Sequence, residues 1–217
     1  MKPNRPESLS PRKKPQQRRS RVTIDAIFEA AIQVLLAKGL DNITTIQIAE
    51  RAGVSVGSVY QYFPNKRALL AAVVRRHIGE VVDATIAACE SAHGKTIGEM
   101  CAAMMEAFVT AKARRLDVSR ALYLPTALVN ADAIVKEESV RCAKAVHAML
   151  ITASDARFAQ AEEVSGVLIA SLVGPTRAAI EGYADLGAVE GLKRHLIALG
   201  VGYLKEMSTP RQTGPLR

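Results

Sequence analysis

Residues 42–70, NITTIQIAERAGVSVGSVYQYFPNKRALL, decide the fold. Thr44 or Thr45 can cap a helix, because a hydroxyl there accepts a bond from a free N–H of the first turn. Ile46, Ile48, Ala49 and Ala52 follow, with Ile48 and Ala52 four apart on one helix face. Gly53 can adopt the left-handed backbone that ends a helix cheaply. Val54 is then an apolar plug, Ser55 caps a second helix, and Pro64 stops it after Phe63. Along that helix Val59 and Phe63 point inward, which leaves Val56, Gly57, Ser58, Tyr60, Gln61 and Tyr62 outward. Asn65 caps a further helix that begins Lys66-Arg67-Ala68. Two short helices joined by a tight turn are a helix-turn-helix, whose second helix enters the major groove of DNA.

The outward set is unusual for a solvated face. It is small, hydroxylated and aromatic, and no acid lies between Arg51 and Glu80 to repel phosphates. Gly57 permits close approach of the helix backbone to another surface. Ser58 can bond a base edge or a phosphate. The residues Thr44-Thr45, Ile48-Ala49, Ala52-Gly53-Val54-Ser55, Gly57, Tyr60, Tyr62-Phe63, Asn65-Lys66 and Leu69 resemble the DNA-binding domain of the tetracycline-repressor (TetR) family over about residues 22–70. That resemblance implies that Ser55–Tyr62 is the recognition helix. It implies that Thr45, Tyr60, Tyr62 and Lys66 grip phosphates, and that Val56, Gly57 and Ser58 lie nearest the bases. Arg21, Thr44, Ser55 and Gln61 complete the expected DNA-contacting set.

Charge is distributed accordingly. Residues 1–80 hold 14 Lys/Arg against 6 Asp/Glu, whereas residues 81–217 hold 15 of each, so the net charge of +8 sits with the helix-turn-helix and the segment before it. A basic front end on a neutral body fits a nucleic-acid binder better than a membrane-surface protein. Residues 1–21 carry Pro3, Pro6, Pro11, Pro15 and eight basic residues. They read as a disordered basic arm, serving solubility or adding phosphate and minor-groove contacts through Arg18, Arg19 and Arg21. Asp25 and Glu29 interrupt any export signal after Arg18-Arg19. The apolar stretch Val164–Gly174 is too short to span a bilayer. A cytoplasmic location is the expectation. Cys89, Cys101 and Cys142 have no metal-ligand spacing and read as reduced, buried thiols.

Hydrophobic residues make up 49% of the 217-residue chain and aromatics 4%, with no alternating β-branched run, so the fold class is all-α, with about nine helices. The expected organisation is a basic arm (1–21), a helix-turn-helix domain (22–66), a helical regulatory and dimerisation body (67–207) and a flexible tail (208–217). Helix 1 is expected over Ile24–Lys38 with Thr23 as its cap, and a long helix over Lys66–Cys89. Later helices are expected near 96–114, 117–128, 130–153, 158–184 and 187–207. Met100, Met104, Met105 and Phe108 form an adaptable apolar wall for a ligand, or plain core at the same spacing. Arg120, Tyr123, Asn130 and His147 are polar candidates to orient that ligand, a small hydrophobic or amphipathic effector. Resemblance implies that the last two helices, through Leu168, Leu172, Leu192, Leu196 and Leu199, pair with their copies in a homodimer.

His93-Gly94-Lys95-Thr96 lacks the first glycine of a phosphate-binding loop and reads as a helix break. The four histidines have no paired spacing for zinc. No nucleophile signature, metal site or cofactor is expected. The family resemblance implies a repressor released from a pseudo-palindromic operator by its effector. A DNA-binding or protein-recruiting regulator without a small ligand is the alternative.

Overall fold

The computed structural model describes residues 18–122, 131–181 and 189–211. Among these residues the chain forms α1 (Arg18–Asn42), α2 (Thr45–Ala52), α3 (Val56–Tyr62), α4 (Lys66–Ser91), α5 (Ile97–Ala113), α6 (Leu116–Ala121), α7 (Asp132–Leu150), α8 (Ala161–Glu181) and α9 (Val189–Glu206). Two residue pairs also form an antiparallel ladder, β1 (Ala156–Arg157) with β2 (Thr209–Pro210). The chain is thus all-α apart from a two-residue ladder that the sequence pattern does not reveal.

The chain divides into two compact units. One contains the chain up to His77 together with Asp117–Ile134; the other contains Ile78–Leu116 and the chain from Val135 onward. Helix α4 therefore contributes its first half to one unit and its second half to the other.

In the first unit, α1 buries Ile27, Phe28, Ala31, Val34 and Leu35 at helical spacing. It starts at Arg18, so Thr23 lies within it and Arg21 is exposed on its first turns, inside the stretch expected to be a disordered arm. Gly39, just after the expected end at Lys38, interrupts it with φ 74°, but a short helical turn continues to Asn42. Positive φ is strained for any residue with a Cβ, which explains a glycine there. Ile48, Val59, Phe63, Leu69, Leu70 and Val73 complete the apolar centre. The Phe28 and Phe63 rings meet with centroids 5.6 Å apart.

The second unit has a core built largely from small aliphatic and sulfur-containing side chains. Cys89, Met100, Cys101, Met104, Met105, Val146, Met149, Leu168, Leu172, Leu192, Leu196 and Leu204 are buried together. Full burial of a leucine or methionine side chain contributes about 1.5–3 kcal/mol. Gly200 is packed so closely that an added Cβ would lie 2.6 Å from Cys101 Sγ and 2.7 Å from Met105 Cε. The α4–α5 turn is knitted to the segment after α7. The Gly94 N–H donates to Thr152 Oγ1 (2.9 Å) and the Ile97 N–H to Asp155 Oδ1 (2.9 Å). The reading of residues 93–96 as a helix break stands, with Thr96 and Glu99 forming a capping box for α5.

Three expectations change here. The tail was expected to be mobile from residue 208, yet Thr209–Pro210 pair with β1 and Arg211 Nη1 donates to the Ala153 carbonyl at 2.6 Å. The apolar stretch of α8 is longer than Val164–Gly174. Residues Ala161–Ile180 are long and apolar enough, by length and composition alone, to cross a membrane. Val164, Leu168 and Leu172 of that helix are instead buried in the core. Finally, Leu168, Leu172, Leu192 and Leu196 lie inside the protomer's own core, and of the five expected interface leucines only Leu199 is exposed, at 54%. Their four-residue spacing defines the inward face of each helix. The outward faces carry Gly166, Val167, Ala170 and Val173 on α8 and Leu199 and Gly202 on α9.

Candidate nucleic-acid interface

The helix-turn-helix is held by local bonds at every joint. Thr44 is the cap of α2: its Oγ1 accepts from the Gln47 N–H, while Gln47 Oε1 accepts from the Thr44 N–H. Such a reciprocal box satisfies two otherwise free donors. Gly53 closes α2 in the left-handed region at φ 68° and donates back to Ala49 and Glu50 carbonyls. Ser55 caps α3, accepting from the Ser58 N–H at 3.0 Å. Phe63 ends α3 with an extended backbone before Pro64. Asn65 Oδ1 accepts from the Ala68 N–H at 2.8 Å and starts α4.

The outward face of α3 follows the alternation expected for seven helical residues. Val59 is fully buried beneath it, while Gly57, Tyr60 and Gln61 are exposed and Val56, Ser58 and Tyr62 are half-buried. A Cβ at Gly57 would meet only Ser55 Oγ, at 3.7 Å, so its side chain is absent from an open outer surface rather than from a crowded core. Tyr60 Oη and Thr45 Oγ1 are 3.1 Å apart, a hydrogen bond that joins the start of α2 to the middle of α3. Ser55 Oγ and Ser58 Oγ are 2.8 Å apart. Two hydroxyl pairs thus lie on the face that carries no carboxylate.

Lys66 has a second role that sequence spacing does not reveal. Its half-buried Nζ donates to the Ile43 carbonyl at 3.2 Å. This bond ties the start of α4 to the residue before the α2 cap. An ammonium has three donors, so the contact leaves capacity for an anion.

Further braces were missed because their partners are far apart in sequence. Arg51 Nε donates to Gln33 Oε1 at 2.6 Å and joins α2 to α1. Arg76 of α4 pairs with Asp25 at 2.6 Å, and its guanidinium lies 5.3 Å from the centroid of Phe28. Phe28 in turn packs on Phe63 at the end of the recognition helix. Also within this unit, His77 Nε2 and the buried Ser119 Oγ are 3.0 Å apart, linking α4 to α6.

The expected ligand residues are dispersed. Met100, Met104 and Met105 are fully buried in the second unit, and the half-buried Phe108 packs against the same core. Arg120 is exposed on α6 in the first unit, while Tyr123 and Asn130 lie outside the described residues. His147 lines a different feature, an open cleft of about 680 Å³ with Ile151, Phe158 and residues 159–163. Lys112 on α5 was not anticipated. Burial brings its ammonium down to about 8. Burial also pushes the Cys89 and Cys101 thiols up to about 12, with the neighbouring Cys142 adding to the effect at Cys89, and Cys142 itself up to about 11. Thiols held neutral in this way are poor nucleophiles and metal ligands.

A capped two-helix motif with an acid-free outer helix, set on an all-helical chain, defines the helix-turn-helix class. Residues 27–73 match the sequence profile of "Bacterial regulatory proteins, tetR family". Over those residues the chain carries a helix-turn-helix domain of the TetR type. Among curated relatives, the class A tetracycline repressor of transposon 1721 (Escherichia coli) is 39% identical over 56 residues, which are 26% of each chain. The chain spans about 30% of the length of the other curated relatives it matches well, so the likeness lies in the helix-turn-helix. Solved structures extend the fold. A Mesorhizobium loti protein solved as a TetR-family regulator has a TM-score of 0.69 at 20% identity, covering 89% of this chain and 100% of the other. The fatty acid degradation regulator FadR of Bacillus halodurans has a TM-score of 0.66 at 18% identity, covering 87% and 96%.

Proposed function

We propose that the protein is a cytoplasmic, sequence-specific DNA-binding transcriptional repressor that acts as a homodimer and is released by a small effector. The acid-free outer face of α3 carries this reading. There, exposed Gly57, Tyr60 and Gln61 stand over a helix whose inner side is locked by Val59 and Phe63. Val56, Gly57 and Ser58 would face base edges. Thr45, Tyr60, Tyr62 and Lys66 would contact phosphates, with Arg21, Thr44, Ser55 and Gln61 at the margins of the interface. Two copies of one short recognition helix, about 34–36 Å apart, would read successive major grooves of a pseudo-palindrome.

Support for a dimer comes from the exposed faces of α8 and α9. Val167 (46%), Val173 (46%) and Leu199 (54%) are large apolar side chains left at the surface. Exposed large apolar side chains on these two helices would suit association. Effector control is supported by α4, whose residues belong to both compact units and so connect the body with the recognition helices. The effector need only favour the non-binding state, with a coupling of about 1–3 kcal/mol.

A regulator without a small ligand is the second reading. The complete burial of Met100, Met104 and Met105 favours it, because these side chains fill a core as well as they would wall a pocket. Selection of duplexes from a randomised pool tests the DNA-binding reading. Thermal-shift screening of apolar and amphipathic compounds then separates the two, since a ligand of the folded state raises its melting temperature.

A further inference from the structure

We infer that the cleft between the C-terminal end of α7 and the first turn of α8 is a second binding site, one that takes a small organic cation with an apolar body. The site is independent of DNA binding and distinct from the methionine-lined core. His147 and Ile151 come from the end of α7 and the turn after it. Phe158, Ala159 and Gln160 come from the connecting segment, and Ala161, Glu162 and Glu163 begin α8.

Size and chemistry agree on the class of occupant. About 680 Å³ lies in the range that holds small organic ligands. Ile151 is 55% exposed and Phe158 half-buried, so the cleft offers an apolar wall and an aromatic ring already partly open to solvent. Glu162 and Glu163 are both exposed, and Lys and Arg are absent from the cleft lining. Carboxylates in a first helical turn stabilise the helix through its dipole, and that alone would explain their type. It does not explain their placement beside an aromatic ring in an open cleft without a basic partner. A cation over an aromatic face with a carboxylate nearby is attracted by both. His147, one of the lining residues, adds an unused group, since its Nδ1 is sealed from solvent and has no hydrogen-bond partner. Such a nitrogen keeps unused bonding capacity beside the cleft.

The segment is also held in place. Asp155, Ala153 and Arg157 are fixed by the Ile97 N–H, the Arg211 guanidinium and the β1–β2 ladder. A connection tied at three points presents Phe158 with little ordering left to be done on binding.

Isothermal titration of the full chain with 2-phenylethylammonium, 2-phenylethanol and phenylacetate tests the inference, because the three share one ring and differ in end-group charge. The ammonium should bind saturably and at least about tenfold more tightly than the alcohol, with the carboxylate weakest. Replacing both acids (Glu162→Gln with Glu163→Gln) should remove about tenfold of the ammonium's affinity while circular dichroism and melting stay near wild type. Methyl NMR signals of Ile151, Ala159 and Ala161 should shift on titration. Phe158→Leu, which keeps an apolar wall without the ring, should weaken the ammonium more than the alcohol. Equal affinity for the three probes, undetectable binding of the ammonium, or unchanged affinity in the double glutamine variant of a folded protein would overturn it. None of these results bears on DNA binding, so failure here leaves the repressor reading standing.

Discussion

Replacing Lys66 by methionine separates two roles that one side chain holds. Methionine keeps an apolar stem of similar length and removes only the charge and the donors. The Nζ–Ile43 bond of 3.2 Å is half-buried and charged, and it spans the joint between the α1–α2 connection and the start of α4. Hydrogen bonds to charged groups contribute about 1.5–3 kcal/mol when well shielded. Partial exposure reduces this, and about 1 kcal/mol of lost stability is expected in urea melts of the free protein. If the remaining donors of the ammonium also neutralise a phosphate, the slope of log K against log salt should fall by about 0.9 for each copy contacting duplex DNA. Fluorescence anisotropy with a labelled operator, at four or five salt concentrations, measures that slope. Weaker binding with an unchanged slope would refute the phosphate contact and leave Lys66 as a positioning residue. Unchanged stability in the free protein would refute the brace.

Other consequences of the geometry can be checked separately. Gly200→Ala should destabilise by about 1–3 kcal/mol relative to Gly79→Ala, since both gain helix propensity but only Gly200 has neighbours under 3 Å from the added Cβ; chemical denaturation measures the difference, and equal stability would show that Met105 and Cys101 move aside freely. Lys112, with a folded value of about 8 against an ordinary 10.5, carries an unfavourable charge that folding must bury below pH 8. The unfolded chain binds the extra proton above that pH, so stability should rise by about 1 kcal/mol between pH 8 and 9 relative to Lys112→Met. The three cysteines should resist Ellman's reagent at pH 8 in the folded protein and react at once in urea, because burial holds them as thiols. Ser58→Ala should change sequence preference in a randomised-duplex selection more than it changes affinity for unrelated DNA.

Much of the candidate interface was legible in the sequence because its determinants are local. Thr44, Gly53, Ser55 and Asn65 each act on a backbone group within four residues, so their chemistry at fixed spacing announces the turn. Burial of Ile48, Val59 and Phe63 follows from helical periodicity in the same way. What stayed hidden depends on residues far apart in the chain. Gln33 with Arg51, Asp25 with Arg76 and Ile43 with Lys66 leave no periodic trace, and neither does the ladder joining Ala156–Arg157 to Thr209–Pro210. The leucines of α8 and α9 illustrate a different limit. A wide apolar helix has two faces, and composition alone did not say that Leu168, Leu172, Leu192 and Leu196 face the protomer's own core while Val167, Val173 and Leu199 face out. For His147, sequence suggested a polar partner to the methionine wall, whereas the residue lines a cleft formed with a segment about ten residues further on.

Selection of duplexes from a randomised pool by the full-length protein, followed by anisotropy on the enriched sequence, tests the central claim most directly. The account predicts a pseudo-palindrome whose half-sites lie about 10–10.5 base pairs apart centre to centre, or a multiple of that, bound as a dimer with a steep salt dependence. Enrichment of no motif, or binding that is equally strong to unselected DNA, would contradict it.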